Sequence, residues 1–307
     1  MTPLRCASVT ANLSAGGSLS AWIMAIRPAT LTAAVVPVIV GTAVAFRSGV
    51  AHLGPATAAL FAALLIQIGT NLANDVDDFE RGADSAGRLG PTRVIQAGLL
   101  SPERVRTATW IAFGVAGLIG IYLCTVGGWP IALVGVAAIG SGLAYTGGPW
   151  PLGYHGLGDL FVFIFFGVVA VVGTFYVQAH TAAALALTAS IPVGALCTAI
   201  LVVNNVRDCD SDRVAGKHTL AVRLGQRAGR AEFVVLVALA YFTPLGMWLT
   251  RQALFWVLLP WLTLPWATSL SRRVATCQDG AAFNAALRST ARLHAAFGVL
   301  FAAGLLA

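Results

Sequence analysis

The sequence predicts an all-α integral membrane protein, a bundle of nine spanning helices, and two observations carry that expectation. The chain of 307 residues is 58% hydrophobic and only 10% charged, with a mean hydropathy of +0.81. A water-soluble domain carries about 25% charged residues. The apolar residues also fall into runs of about 17–25, the length needed to cross a hydrocarbon core as an α-helix. In chain order the runs lie at about 22–46, 53–73, 107–124, 129–146, 157–178, 182–203, 232–250, 253–270 and 290–306. The second run ends "ATAALFAALLIQIGT" and the sixth ends in "LVV", and each feeds directly into a polar, acidic stretch. Residues 1–21 form an N-terminal segment and 22–307 a single transmembrane domain. The first thirty residues lack the charged start, apolar core and cleavage site of a signal peptide, so none is expected.

Basic residues set the expected orientation. With a cytoplasmic N-terminus and nine spans, the outer connections hold Arg47 and Arg251, and the inner segments and adjoining helix ends hold the other 17 of the 19 basic residues. Positive residues stay inside, so the C-terminus is expected outside and the protein in the plasma (inner) membrane. The net charge of +7 is therefore an orientation signal, and no compact basic domain points to nucleic acid. The five cysteines (Cys6, Cys124, Cys197, Cys209, Cys277) have no metal-ligand spacing. The five histidines are scattered; His155 and His218 read as ordinary polar loop residues.

Acidic residues are scarce and concentrated. Of 12 in the chain, Asp75, Asp77, Asp78, Glu80 and Asp84 fall within ten positions of "NLANDVDDFERGADSAGRLGPTRVIQAG". A second cluster, Asp208, Asp210 and Asp212, lies in "LVVNNVRDCDSDRVAGKHTLAVRLG". On a continuing helix Asp75 and Asp78 share one face, as do Asp208 and Asp212. Asn71 and Asn74 extend the first face, Asn204 and Asn205 the second. Four helices separate the second span from the sixth, so both polar ends emerge on one side, the cytoplasmic one. Either run alone reads as a solvated helix end; two matching faces on one side do not. Asp77 and Asp210 are out of phase with their neighbours and read as solvated.

Carboxylate and amide oxygens suit a hard divalent cation, and magnesium typically takes one or two carboxylates plus phosphate oxygens. Two facing clusters, with Asp75, Asp78, Asp84, Asp208 and Asp212 as candidate ligands, can hold Mg2+ with a diphosphate between them. Arg88, Arg93, Arg207, Lys217 and Arg223 are candidates for the anion itself, arginine by bidentate grip and lysine as a point charge. A diphosphate site opening into a lipid-bounded bundle implies a substrate with a charged head and a long apolar tail.

At these residues the sequence resembles the UbiA-type intramembrane prenyltransferases, which carry an Asn-Asp-x-x-Asp first motif and an Asp-x-x-x-Asp second motif. Within that superfamily it is most similar to the 1,4-dihydroxy-2-naphthoate polyprenyltransferases of menaquinone biosynthesis. "NDVDDFERGAD" through "RLGPTRVIQAG", "YTGGPWPLGYHGLGDLFVFIFFG" and "NNVRDCDSDRVAGKHTLAVRLG" carry the match. It departs at Gly87, where an acidic residue often precedes the arginine, and at Cys209, where an aliphatic residue is common. The resemblance implies nine helices around a central cavity closed by cytoplasmic loops. It implies an allylic polyprenyl diphosphate as donor, magnesium at its diphosphate, and an aromatic acid, 1,4-dihydroxy-2-naphthoate, as acceptor. Prenyl transfer is coupled to decarboxylation and gives demethylmenaquinol, oxidised to demethylmenaquinone. The loop holding Tyr145, Tyr154 and Asp159 faces the same side and shapes the acceptor pocket, without any of the three being assigned as a base. Two other readings stay open: a prenyltransferase acting on another aromatic acceptor such as 4-hydroxybenzoate, and a membrane transporter, since polar residues within a membrane protein usually mark a pathway.

Overall fold

The structure, a computed structural model, describes residues 18–82, 89–90 and 93–307, and every element among them is helical. A short helix α1 (Leu19–Ile26) meets α2 (Thr32–Arg47) through the 3-10 turn Pro28–Thr30. The two are bent by 48°. Arg27 makes the break: its backbone is left-handed (φ 56°) and Pro28 follows it, a residue that cannot continue the hydrogen-bond ladder of α1. Helix α3 (Leu53–Glu80) has 28 residues, about 42 Å at 1.5 Å per residue. That exceeds a hydrocarbon core of about 30 Å by roughly two turns. The expected end at residue 73 is thus seven residues short, because the acidic stretch is the continuation of the helix.

Helices α4 (Pro102–Gly127) and α5 (Trp129–Leu143) follow. Then α6 (Gly158–Val162) passes through a π-helical turn, Phe163–Val169, into α7 (Ala170–Ala179) as one 22-residue rod. Helix α8 (Ala184–Arg207) is the central element, with Val193, Leu196, Ala199 and Val203 fully buried. It packs against α2, α11 and α13 in the largest apolar cluster. Its approach to the π turn is very close. A Cβ on Gly167 would lie 2.7 Å from the Cα of Gly194, so only glycine on both sides allows this crossing, the small-residue packing typical of membrane helices. Two short helices, α9 (Cys209–Val214) and α10 (Leu220–Leu224), lead to α11 (Gln226–Leu249). A 3-10 segment (Phe255–Thr263), α12 (Leu264–Thr276) and α13 (Gly280–Leu306) complete the chain.

Six of these helices are long and apolar enough to cross a membrane, or seven if α1 and α2 form one bent span. The expectation of nine reaches further than that count. The run at 129–146 becomes a 15-residue helix. The run at 253–270 is divided between a 3-10 segment and α12, with Pro260 inside the first and Pro265 opening the second, because neither proline can donate to an α-helical ladder. The expected boundary at residue 21 falls inside α1.

Candidate active site

The last two turns of α3 carry the first motif. Asn74 and Asp78, one turn apart, face the central cavity, and Asp78 is 1% exposed. Its Oδ2 accepts from Arg93 Nη2 at 2.6 Å and its Oδ1 from Lys217 Nζ at 3.0 Å. Asp75 has a different setting: it is absent from the cavity wall and ion-paired with both Arg27 and Arg93. It holds in place two guanidinium groups that do line the cavity. Asn71 works at the bend between α1 and α2, donating to the Ile26 carbonyl at 2.9 Å and to Thr30 Oγ1 at 3.0 Å. Asp77 is half-buried, and its Oδ2 accepts from Thr146 at 3.3 Å. The expectation of a solvated Asp77 is corrected: the turn after α5 covers it, and Thr146 also donates to Asn74 at 2.7 Å. Asp84, Gly87 and Arg88 lie outside the described residues.

The second motif is built on the end of α8. Asp208 closes that helix and the chain re-enters a helix at once as α9, so the Asp212 amide donates to the Asp208 carbonyl at 2.7 Å. One turn therefore separates the two carboxylates, and both line the cavity with Asn204 and Asn205. Arg207 is 4% exposed and lies along Asp208, with Nε 2.7 Å from Oδ1 and Nη2 2.6 Å from Oδ2. It also donates to Asn204 at 2.7 Å. Asp210 points to solvent and pairs with Arg213, as its phase predicts. Arg223 is exposed and donates to the His218 carbonyl at 3.1 Å; it is not brought to the cavity wall.

Together these residues form the polar end of a cavity of about 740 Å3. The remaining wall is largely apolar and includes Val38, Ile66, Leu201 and Phe165. Along α3 it extends from Asp78 to Ala59, about 28 Å at the helical rise. Tyr145 lines it near the polar end. Tyr154 also lines the wall, with the Lys217 ammonium 4.9 Å from its ring centre. Asp159 sits behind the wall, its Oδ1 accepting from Asn205 at 3.3 Å. His155 stacks on Trp150 and His218 takes part through its backbone, in keeping with their reading as loop residues. Among the described residues no group of three or more His, Cys, Asp or Glu is placed to hold a metal by itself.

Residues 34–303 match the UbiA prenyltransferase family. The chain belongs to that family. It is a transferase, and its UbiA relatives lie close. The 1,4-dihydroxy-2-naphthoate octaprenyltransferase of Bacillus subtilis is 34% identical over 91% of this chain and 90% of its own length. Those of Escherichia coli and Mycobacterium tuberculosis are both 41% identical, over 67% and 73% of this chain and 69% and 76% of their own. Among solved structures, a UbiA homologue from Archaeoglobus fulgidus bound to GPP and Mg2+ aligns with a TM-score of 0.61 at 15% identity. It covers 92% of this chain and 99% of that one.

Sequence reasoning missed three participants in this UbiA site: Arg27, Thr146 and Asn284, the last of which accepts from Arg207 Nη1 at 2.8 Å. Asn284 has no local signal, and Thr146 falls within the stretch "YTGGPWPLGYHGLGDLFVFIFFG" without being singled out there. Arg27 had one, as a charged residue inside the apolar run at 22–46, where ionisable groups are costly and usually functional.

Proposed function

We propose that the protein transfers a polyprenyl group from an allylic polyprenyl diphosphate to 1,4-dihydroxy-2-naphthoate, with loss of the carboxylate as carbon dioxide. One observation carries the donor half of this reading. The two Asn-and-Asp helix ends meet at the cationic mouth of a long apolar cavity, shaped for a diphosphate head and an isoprenoid tail. The acceptor half is supported by the names of the bacterial relatives.

The donor set fits magnesium. Asp78, Asp208 and Asp212 all line the cavity, and magnesium typically takes one or two carboxylates and fills its other positions with phosphate oxygens and water. We assign these three, with Asp84, as ligands, and Asp75 as a ligand or as the anchor of Arg27 and Arg93. Bound magnesium supplies charge neutralisation at the diphosphate leaving group. Arg27, Arg93 and Lys217 add positive charge at the cavity wall; we assign Arg88 and Arg207 to the same anion, and Asn71, Asn74, Asn204 and Asn205 to its orientation. As the carbon–oxygen bond of the donor breaks, its electron pair leaves with diphosphate. The acceptor ring attacks the allylic cation at the carbon bearing the carboxylate, and loss of carbon dioxide restores aromaticity, giving demethylmenaquinol. The apolar wall keeps water from the cation. We assign Tyr145, on the cavity wall, to the acceptor pocket.

We further propose nine crossings, with the site on the cytoplasmic side of the plasma membrane. Four hydrogen bonds support that number of crossings. Gln252 meets Thr188 at one end of the bundle, whereas Arg230 donates to the carbonyls of Ala275 and Cys277 near the start of α11. The 3-10 segment and α12 therefore connect one end of the bundle to the other. Arg47 bonds the Leu305 carbonyl, which places it away from the site. Residues 22–307 then form one transmembrane domain.

The deciding assay gives purified protein, magnesium and a polyprenyl diphosphate a panel of aromatic acids. We expect prenylation of the naphthoate with release of carbon dioxide. Efficient prenylation of 4-hydroxybenzoate with its carboxylate retained, and none of the naphthoate, would overturn the acceptor assignment.

A further inference from the structure

Asn284 lies in the second turn of α13 and touches both halves of the site without lining the cavity. Its Oδ1 accepts from Arg207 Nη1 at 2.8 Å, and its Nδ2 donates to the Leu89 carbonyl at 2.8 Å. The two bonds fix the amide orientation, since a flip would set donor against donor and acceptor against acceptor. Four residues earlier, Gly280 packs on the same loop, where a Cβ would stand 2.9 Å from Leu89 Cβ. Leu89 belongs to the connection leading from the first motif to Arg93, which grips Asp75 and Asp78. On the other side Arg207 holds both oxygens of Asp208. The path from Leu89 through Asn284 and Arg207 to Asp208 is therefore continuous, each step a hydrogen bond of 2.6–2.8 Å.

We infer that Asn284 is a positioning residue that couples the seating of the first-motif loop to the orientation of Asp208. The two halves of the diphosphate site are thereby set together. The amide supplies both functions at once, accepting from a guanidinium on one side and donating to a carbonyl on the other. The inference rests on the reading of this cavity as the donor site, but the coupling itself is measurable without turnover.

Hydrogen exchange on the full-length protein in lipid nanodiscs, without substrate, is the first test. Asn284→Asp keeps an acceptor for Arg207 and loses the donor to Leu89. It should speed exchange across residues 93–100 on the order of tenfold, the scale of one lost hydrogen bond to a partly buried group, while residues 209–214 stay protected. Asn284→Ala loses both bonds and should loosen both segments, with protection in the middle of α8 unchanged. Unaltered exchange at 93–100 in both variants, or equal loosening of 209–214 in both, would overturn the coupling. In the transfer assay both variants should raise the KM for the polyprenyl diphosphate about tenfold and leave the acceptor KM within twofold. A parallel rise of both KM values would also overturn it. Absence of transfer by the unaltered protein would instead refute the function proposed for the cavity, with the exchange result still deciding the coupling.

Discussion

The ammonium of Lys217 sits 3.0 Å from Asp78 Oδ1, although 139 positions separate them in the chain. It is a direct ion pair between the first motif and the loop that follows the second, and the carboxylate partner is almost fully buried. The ring of Tyr154 flanks the same ammonium. Lys217 is thus shared between a carboxylate of one motif and the cavity where the donor phosphates would lie.

Replacing it should weaken donor binding more than chemistry. Lys217→Met keeps the length of the side chain and removes the charge, so the KM for polyprenyl diphosphate should rise about tenfold to a hundredfold, the loss of one strong charge-assisted contact. Steady-state kinetics with the acceptor saturating measures this. An unchanged donor KM would show that Lys217 serves only to hold Asp78.

The acids should divide by position. Asp78→Asn, Asp208→Asn and Asp212→Asn each keep the shape of the side chain and remove a full charge from the magnesium–diphosphate site. A loss of about 3–4 kcal/mol of transition-state stabilisation lowers the rate on the order of a hundred- to a thousandfold. Asp210→Asn, at an exposed carboxylate, should stay within about twofold of the parent rate. Asp75→Asn separates two roles. As an anchor for Arg27 and Arg93, Asp75 should affect the donor KM without shifting the magnesium concentration that gives half-maximal rate. A shift as large as that of Asp208→Asn would make it a ligand.

Magnesium removal should abolish transfer reversibly. Chelation with EDTA is expected to stop turnover, and added magnesium to restore it, with the helical circular dichroism unchanged throughout because the ion pairs of the site already neutralise its acids. Full activity in excess chelator would refute the metal assignment.

Orientation has its own test. In a cysteine-free background, a single cysteine in place of Arg88 should react with a membrane-impermeant thiol reagent only from the cytoplasm, and one in place of His180, at the turn between α7 and α8, only from outside. The reverse pattern would invert the topology.

Stability should be most sensitive where glycines touch. Gly167→Ala places a methyl 2.7 Å from the Gly194 Cα, against backbone that cannot swing aside. About 1–3 kcal/mol of destabilisation is expected, read as a lower thermal midpoint in detergent. Gly114→Ala, with nothing within 4 Å of the new Cβ, should lower it not at all.

The helical class and the existence of the long spans were legible because lipid demands unbroken apolar runs of fixed length. The faces of the two motifs were legible for a similar reason. Asp78 lies on α3, which continues through its acidic stretch, and the bond from the Asp212 amide to the Asp208 carbonyl keeps helical spacing across the break between α8 and α9, so sequence spacing translates into shared walls. Asp75 shows where spacing stops helping: it is only three residues from Asp78, yet its direction is decided by Arg27, which arrives from a break in another helix. Asp77 was misjudged because its cover, Thr146, comes from a turn 69 positions away. Asn284 left no trace at all, since an isolated amide near a helix start is chemically ordinary until the fold brings Arg207 and Leu89 to either side of it. The division of 253–270 was foreshadowed by Pro260 and Pro265, which hydropathy counts as tolerable and hydrogen-bond geometry does not.

The π turn in the α6–α7 rod has a consequence for how a straight tail is accommodated. Phe161, Phe165, Val169, Gly173 and Val177 all face the cavity, a strict step of four residues. In a regular α-helix of 3.6 residues per turn such a stripe slips sideways by about 40° at each step, or about 160° over its length, and would wind off the wall halfway across the bilayer. The wider winding at Phe163–Val169 takes back part of that slip, as a compensating gear does. The rod thereby presents a nearly vertical rail, and deleting one residue from the π turn would put its two halves out of step, leaving the mouth of the cavity intact while its lower wall turned away.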